Sequence, residues 1–278
     1  MRLQRIGRAA TVALYEELAL YPKPGLVSFI DTGSHTDMDA STFMRSLFAL
    51  RHYFVQITRL GARAASFSVL EQLGIDAEHR MLRATAGINT HRGAVFSLGL
   101  LCAAAGRLAA SGTPQQPAAL RASLLHHWGP ALQTRATQAR DHSHSHSNGQ
   151  CAARRHGLRS VGEAAANGFP VLFDVAVPAL QQALADGLDD RAAKLQTLFH
   201  ILAVLDDTNL AHRGGLAGLR FAQRRAADFL AAGGAARPDA LAHAEAIHHD
   251  FVARRLSPGG GADVLAAACW VHRIGQPT

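Results

Sequence analysis

Apolar residues recur along much of this chain at steps of three and four. Phe43, Leu47, Leu50, Phe54, Ile57 and Leu60 fall on one face of a single predicted helix, and Asp39 just ahead of them is a suitable N-cap. The same spacing runs through Ile6–Leu20, through Leu195, Leu198, Phe199, Leu202 and Leu205, and across Leu241–Leu256 around Ile247 and Phe251. Alternating strand patterns and β-branched runs are nearly absent, while alanine and leucine abound. The pattern predicts an all-α fold: one compact multi-helix domain over residues 1–278, with short Gly- and Pro-marked connections and glycine-rich loops bordering helix N-termini.

Two segments break the periodicity. Ser111–Pro117 reads as an exposed loop, and Asp141–Gly149 reads "DHSHSHSNG", with His142, His144 and His146 at a spacing of two. On a strand those three rings would share a face as metal ligands might, but the Ser, Asn and Gly around them favour a polar loop, and they are left out of the candidate site. The N-terminus begins with arginines and turns apolar as a signal peptide does, until Glu16 and Glu17 interrupt it, so the segment is expected to stay in the mature protein. The longest apolar run, Ala94–Ala105, is too short to cross a bilayer and contains Ser97 and Gly99, so no membrane span is expected. Cys102, Cys151 and Cys269 are far apart and lack C-x-x-C spacing, which argues against a disulfide framework or zinc site and fits a reducing cytoplasm.

With 48% hydrophobic and 18% charged residues the chain can bury a large core. A net charge of +7 and a pI near 10.1 attract polyanions. Arginines are dispersed, aromatics are only 6%, and neither zinc-finger nor RNA-binding spacing is present, so nucleic acid is disfavoured and phosphorylated small molecules lead.

Candidate chemistry sits in a stiff turn and four polar islands. In "YPKPGLV", Lys23 lies between Pro22 and Pro24, whose fixed φ angles stiffen the backbone that carries its ammonium. The islands are Gly33–Met38 with His35 and Asp37; Gly87–Gly93 with Asn89, Thr90, His91 and Arg92; Asp206–Gly215 with Asp207, Asn209 and Arg213; and Ser257–Asp263 with Gly259 and Gly260. Each borders an apolar helix, where unpaired N–H groups and glycines suit a phosphate, and several together suit a triphosphate. Any one island alone also fits an ordinary capped helix start. Asp206 and Asp207 follow an apolar helix whose negative dipole end disfavours them, and a bound Mg²⁺ would reverse that sign. His-Arg-Gly at 91–93 returns at 212–214, which suggests two similar anion-facing turns.

"PKPGLV", "GSHTDMD", "GINTHRGAVFSLGLL", "GFP" at 168–170, "DDTNLAHRGG" and "SPGGGADVLA" resemble, in that order, the motifs of triphosphoribosyl-dephospho-CoA synthases. "GSHTDMDA" and "RRHGLR" at 154–159 look most like members that accompany malonate decarboxylase rather than citrate lyase. Two departures are visible: Ser28 stands where relatives often carry an acid, the nearest being Asp31, and Gly261 stands where many have serine. The resemblance implies a transferase that joins the triphosphoribosyl unit of ATP to the 2′-hydroxyl of 3′-dephospho-CoA with loss of adenine. A separate transferase would then attach the product to a carrier protein. It implies Lys23, Arg92 and Arg213 as phosphate holders, with Asn89, Thr90, Asn209, Ser257, Gly259 and Gly260 completing the nucleotide site. Asp206 and Asp207 would be Mg²⁺ ligands, and His35, Asp37 and His91 the acid/base groups. A nucleoside or ADP-ribosyl hydrolase and a non-catalytic nucleotide-binding regulator are the competing readings, and a homo-oligomer is compatible with the sequence.

Overall fold

The computed structural model of the chain describes residues 2–141 and 148–276, without the side chains of residues 140 and 141. Those residues form helices and, among them, no strand, as the periodicity predicts. In chain order these are α1 (Arg2–Ala19), α2 (Ala40–Leu50), α3 (Tyr53–Ala62), α4 (Phe67–Ala84), α5 (Arg92–Ala110), α6 (Pro117–Asp141), α7 (Asn148–His156), α8 (Val161–Ala166), α9 (Val177–Ala185), α10 (Asp190–Val204), α11 (Thr208–Ala231), α12 (Ala240–Ala253) and α13 (Gly259–Gly275). A π-helical run, Val171–Ala176, leads directly into α9. His142, His144 and His146 lie outside the described residues. Residues 111–116 form the expected loop, exposed in large part but with Gln115 buried, and Pro117 opens α6, where its missing N–H costs nothing.

The stripe from Phe43 to Leu60 belongs to two helices rather than one. Asp39 does cap the first, its Oδ1 accepting from Thr42 N at 2.8 Å in a capping box. The helix is then interrupted at Arg51–His52, which lets α2 lie on α4 while α3 packs on α1 and α5. The apolar face is continuous in sequence because both helices bury it, but against different partners.

The apolar run at 94–105 is also longer in structure than in pattern. It extends through the 19-residue α5, which is long and apolar enough to cross a membrane by length and composition alone. Here it forms the centre of the core: Leu98, Leu101, Cys102, Ala103, Ala104 and Ala105 are fully buried, with α1, α3, α4, α6 and α13 around it. Small residues let the helix backbones meet. A Cβ on Gly61 of α3 would lie 2.0 Å from the Ala103 carbonyl oxygen, and one on Gly106 of α5 would lie 2.0 Å from that of Thr58. Tyr53 Oη donates to the Val95 carbonyl at 2.8 Å, and Trp270 Nε1 in α13 donates to that of Ile6 in α1 at 3.1 Å, so both large rings are buried with their polar atoms satisfied.

Gly61→Ala should push α3 from α5 and destabilise the protein by about 1–3 kcal/mol, the ordinary cost of overpacking. A thermal melt should register this as a clear fall in Tm. Gln56→Ala on the exposed side of α3 should stay within about 0.5 kcal/mol of the parent.

Candidate active site

Three helix starts converge where the islands meet. Asp207 precedes α11 in extended conformation, and its Oδ1 accepts from Asn209 N at 2.8 Å and Leu210 N at 3.3 Å. Its Oδ2 accepts from Gly261 N at 2.9 Å in the first turn of α13, so one buried carboxylate closes two helix ends. Burial pushes this carboxyl above the usual range against the downward pull of those N–H groups. Asp263, one turn into α13, takes a hydrogen bond from Ala94 N at the start of α5. A Cβ on Gly93 would lie 2.0 Å from Asp263 Oδ2, so the carboxylate fills the space that any side chain at 93 would need. Burial, then the charges of Glu17 and Asp207, hold Asp263 well above the ordinary carboxylate range.

The first, third and fourth islands are joined by side chains. Arg213 donates from Nη1 to the Ser34 carbonyl at 3.2 Å and to the Arg255 carbonyl at 3.4 Å, and from Nη2 to His35 Nδ1 at 3.0 Å. With Nδ1 accepting, His35 Nε2 carries the proton and donates to Ser257 Oγ at 2.9 Å. Burial and the Arg213 charge lower the His35 pKa, which agrees with this neutral tautomer. Asp37 stands 3.5 Å from His35 Nδ1 with its own side chain open to solvent. Gly215, at φ +62°, breaks α11 just beyond Arg213, so that the guanidinium projects from a short first segment.

The second island meets the others through Asp263, but its polar side chains turn elsewhere. Arg92 Nε pairs with Glu78 Oε2 of α4 at 3.0 Å, and Asn89 Oδ1 accepts from Arg92 N at 3.1 Å as a helix cap. His91 is buried, with Nδ1 2.6 Å from Ser46 Oγ and its ring edge-on to Phe43. Its Nε2 and the Thr90 Oγ1 have no hydrogen-bond partner. Burial, with a smaller contribution from Lys23, takes the His91 pKa down to about 3, so it is a neutral imidazole at ordinary pH.

Lys23 requires a correction. The ammonium expected to hold phosphate is fully buried, 2.5 Å from both the backbone oxygen and the Oε1 of Glu17. The turn folds back beneath the C-terminal end of α1, where the Glu17 carbonyl, which also accepts from Leu20 N at 3.3 Å, and a buried carboxylate both favour a cation. Desolvation lowers the Lys23 pKa and the Glu17 charge opposes that shift. The turn is further pinned by His248, whose Nδ1 donates to the Lys23 carbonyl at 2.6 Å and whose Nε2 faces Asp31 Oδ2 at 3.1 Å.

Residues 3–278 match the family model described as CitG, ATP:dephospho-CoA triphosphoribosyl transferase. The chain belongs to the CitG family. It is similar to a "2-(5''-triphosphoribosyl)-3'-dephosphocoenzyme-A synthase" of Pectobacterium atrosepticum, at 40% identity over 95% of this chain and 85% of the relative. It is also similar to a "Probable 2-(5''-triphosphoribosyl)-3'-dephosphocoenzyme-A synthase" of Acinetobacter calcoaceticus, at 36% identity over 97% of this chain and 91% of the relative. No solved structure matches.

In this CitG-family chain Asp206 and Asp207 do not form the expected metal pair. Both oxygens of Asp207 are taken by backbone donors, whereas Asp206 is exposed and lines a separate polar cleft. Among the described residues no group of three His, Cys, Asp or Glu could hold a metal ion. A resident Mg²⁺ held by this pair therefore does not fit the arrangement. Asn209 and Gly259 are neighbours, with the Asn209 Nδ2 2.9 Å from where a Gly259 Cβ would be, and Gly259 and Gly260 begin α13. Sequence reasoning missed Glu17, Ser46, His248 and Asp263. Of these only Asp263 carried a signal, as the lone acid inside the glycine-rich motif that opens an apolar helix.

Lys23→Met should cost about 3–5 kcal/mol in urea unfolding, since it strands a buried carboxylate, and adding Glu17→Gln should recover most of the loss. His91 supplies a pH test. The folded state keeps it neutral down to about 3 while the unfolded chain protonates near 6.5, so its contribution is complete above 6.5 and is lost as pH falls toward 3. His91→Asn should flatten the loss of stability across that window, measured by denaturant midpoints at successive pH values.

Proposed function

We propose that this CitG-family transferase moves the triphosphoribosyl unit of ATP onto the 2′-hydroxyl of 3′-dephospho-CoA and releases adenine. The observation that carries the reading is the joining of three separate sequence islands through His35, Arg213 and Ser257, beside the starts of α11 and α13. Displacement at the ribose anomeric carbon passes through an oxocarbenium-like state, which calls for fixed charges, a proton donor to adenine and an acceptor for the hydroxyl proton. Arg213 is the cation of this group with access to solvent; Ser257, bonded to the same His35, and Asn209, Gly259 and Gly260 at the helix starts are candidate phosphate contacts. His35, bearing its proton on Nε2, and the solvent-open Asp37 are candidates for the two proton transfers.

Lys23, paired with Glu17, serves this reading as a buried counter-charge beneath the site rather than as a direct phosphate contact. Asn89, Thr90 and Arg92 support it from the edge, and His91 from within the core. Mg²⁺ is assigned to the nucleotide, entering with the triphosphate as part of the substrate. The product is taken as the prosthetic-group precursor of malonate decarboxylase, on the likeness of "GSHTDMDA" and "RRHGLR", to be attached by a separate carrier-protein transferase in the cytoplasm.

Incubation with ATP, Mg²⁺ and dephospho-CoA, followed by mass analysis, should give adenine and the triphosphoribosyl adduct. CoA, whose 3′-phosphate crowds the attacking hydroxyl, should be a poor acceptor. Release of pyrophosphate with AMP transfer would overturn the reading, and adenine release without any acceptor would favour a hydrolase.

A further inference from the structure

The polar cleft that receives Asp206 is lined by residues that the reading above does not use. It lies between the second half of α6, the turn joining α7 to α8, and the start of α11, and encloses about 460 Å³. That volume is within the range of about 300–1,000 Å³ usual for small-molecule sites. Much of its polar lining is already committed. Glu163 accepts from Ser160 N at 2.8 Å, Gln133 Nε2 donates to the Ala166 carbonyl at 3.0 Å, and Asn167 Nδ2 donates to that of Glu163 at 2.7 Å. Two charged groups remain: Arg159 and Asp206 face the same cleft, yet among the described residues neither has a hydrogen-bond or ion-pair partner.

An unpaired guanidinium and an unpaired carboxylate at separate points of one cleft suit a ligand that carries both phosphate and hydroxyl groups. Arginine holds phosphate oxygens in a fork, and a carboxylate accepts from ribose hydroxyls. We propose that this cleft is the acceptor subsite, in which Arg159 holds the diphosphate of dephospho-CoA and Asp206 accepts hydrogen bonds from its adenosine ribose. The inference rests on the proposed function for the identity of the acceptor.

Two features favour the acceptor over ATP. Among the described residues the cleft offers one unpaired cation, which matches a diphosphate better than a triphosphate, whereas Arg213 and the glycine-rich start of α13 lie in the other region. Asp206 and Asp207 are consecutive, so the two regions adjoin across one peptide unit, with about 3.8 Å between Cα atoms. A transfer between two bound nucleotides requires such adjacency, because the donor's anomeric carbon and the acceptor's hydroxyl must meet.

The test measures affinity for each substrate separately by titration calorimetry, together with KM for each, in wild type, Arg159→Gln and Thr137→Trp. Arg159 is exposed, so its loss should leave the fold intact, and the tryptophan fills the cleft from the exposed rim of α6 without removing a charge. Arg159→Gln should weaken dephospho-CoA by roughly tenfold or more, the usual effect of losing a charge-assisted hydrogen bond, and Thr137→Trp should weaken it by occupying the cleft, with ATP affinity nearly unchanged in both. Arg159→Lys should fall between wild type and Arg159→Gln. The subsite is overturned if wild type binds dephospho-CoA and both variants bind it equally well, or if ATP is weakened as much as the acceptor. Wild type that fails to bind dephospho-CoA at all would instead remove the proposed function, and the subsite with it.

Discussion

One buried carboxylate, that of Asp207, sets the geometry of the functional end of the molecule. A helix start leaves several N–H groups without partners, and Asp207 supplies oxygen atoms to two such starts at once, those of α11 and α13. A negative charge in this position gains from both helix dipoles, each contribution reaching up to about 2 kcal/mol in partly buried settings. Because the residue is pinned at both oxygens, its neighbours are placed by it. Asp206 is turned outward, Gly259 and Gly260 are brought beside Asn209, and α13 is held so that Asp263 meets the start of α5.

The same arrangement alters what the helix starts can do. Unpaired N–H groups at a helix N-terminus are ready-made for an anion, but at α5, α11 and α13 the protein's own carboxylates take donors of each first turn. Recognition of a phosphate therefore falls more heavily on side chains, Arg213 above all. The surroundings are also crowded with charge: Glu17, Asp207 and Asp263 lie within mutual influence, and Lys23 is enclosed against Glu17. Burial of so many ionisable groups is costly, and such clusters concentrate where chemistry is done.

Helical content was legible because burying one face of a helix writes a 3.6-residue period into the sequence, and α1, α10 and α12 follow that writing closely. The break between α2 and α3 was not legible. Both helices bury the same stripe, and periodicity records that a residue is buried without recording against what. Asp39 was found from sequence because an N-cap acts on N–H groups within the next turn, a purely local interaction.

The sequence by itself determined the helical class, the caps and the order of the polar islands, and its motifs carried the family. Tertiary structure decided which islands share a site and which way each charge points. His35 and Arg213 are 178 residues apart, and no local rule joins them. Lys23 was placed by its own prolines in a stiff turn, yet the direction of its ammonium was set by Glu17 on the preceding helix. Asp206 and Asp207 look like one paired unit in sequence, but adjacent residues at a helix start need not share a face, and packing sent one into the core and the other into a cleft. Local backbone preferences act over a few residues, whereas the direction of a charged side chain is settled by the dielectric and the partners that distant segments bring to it.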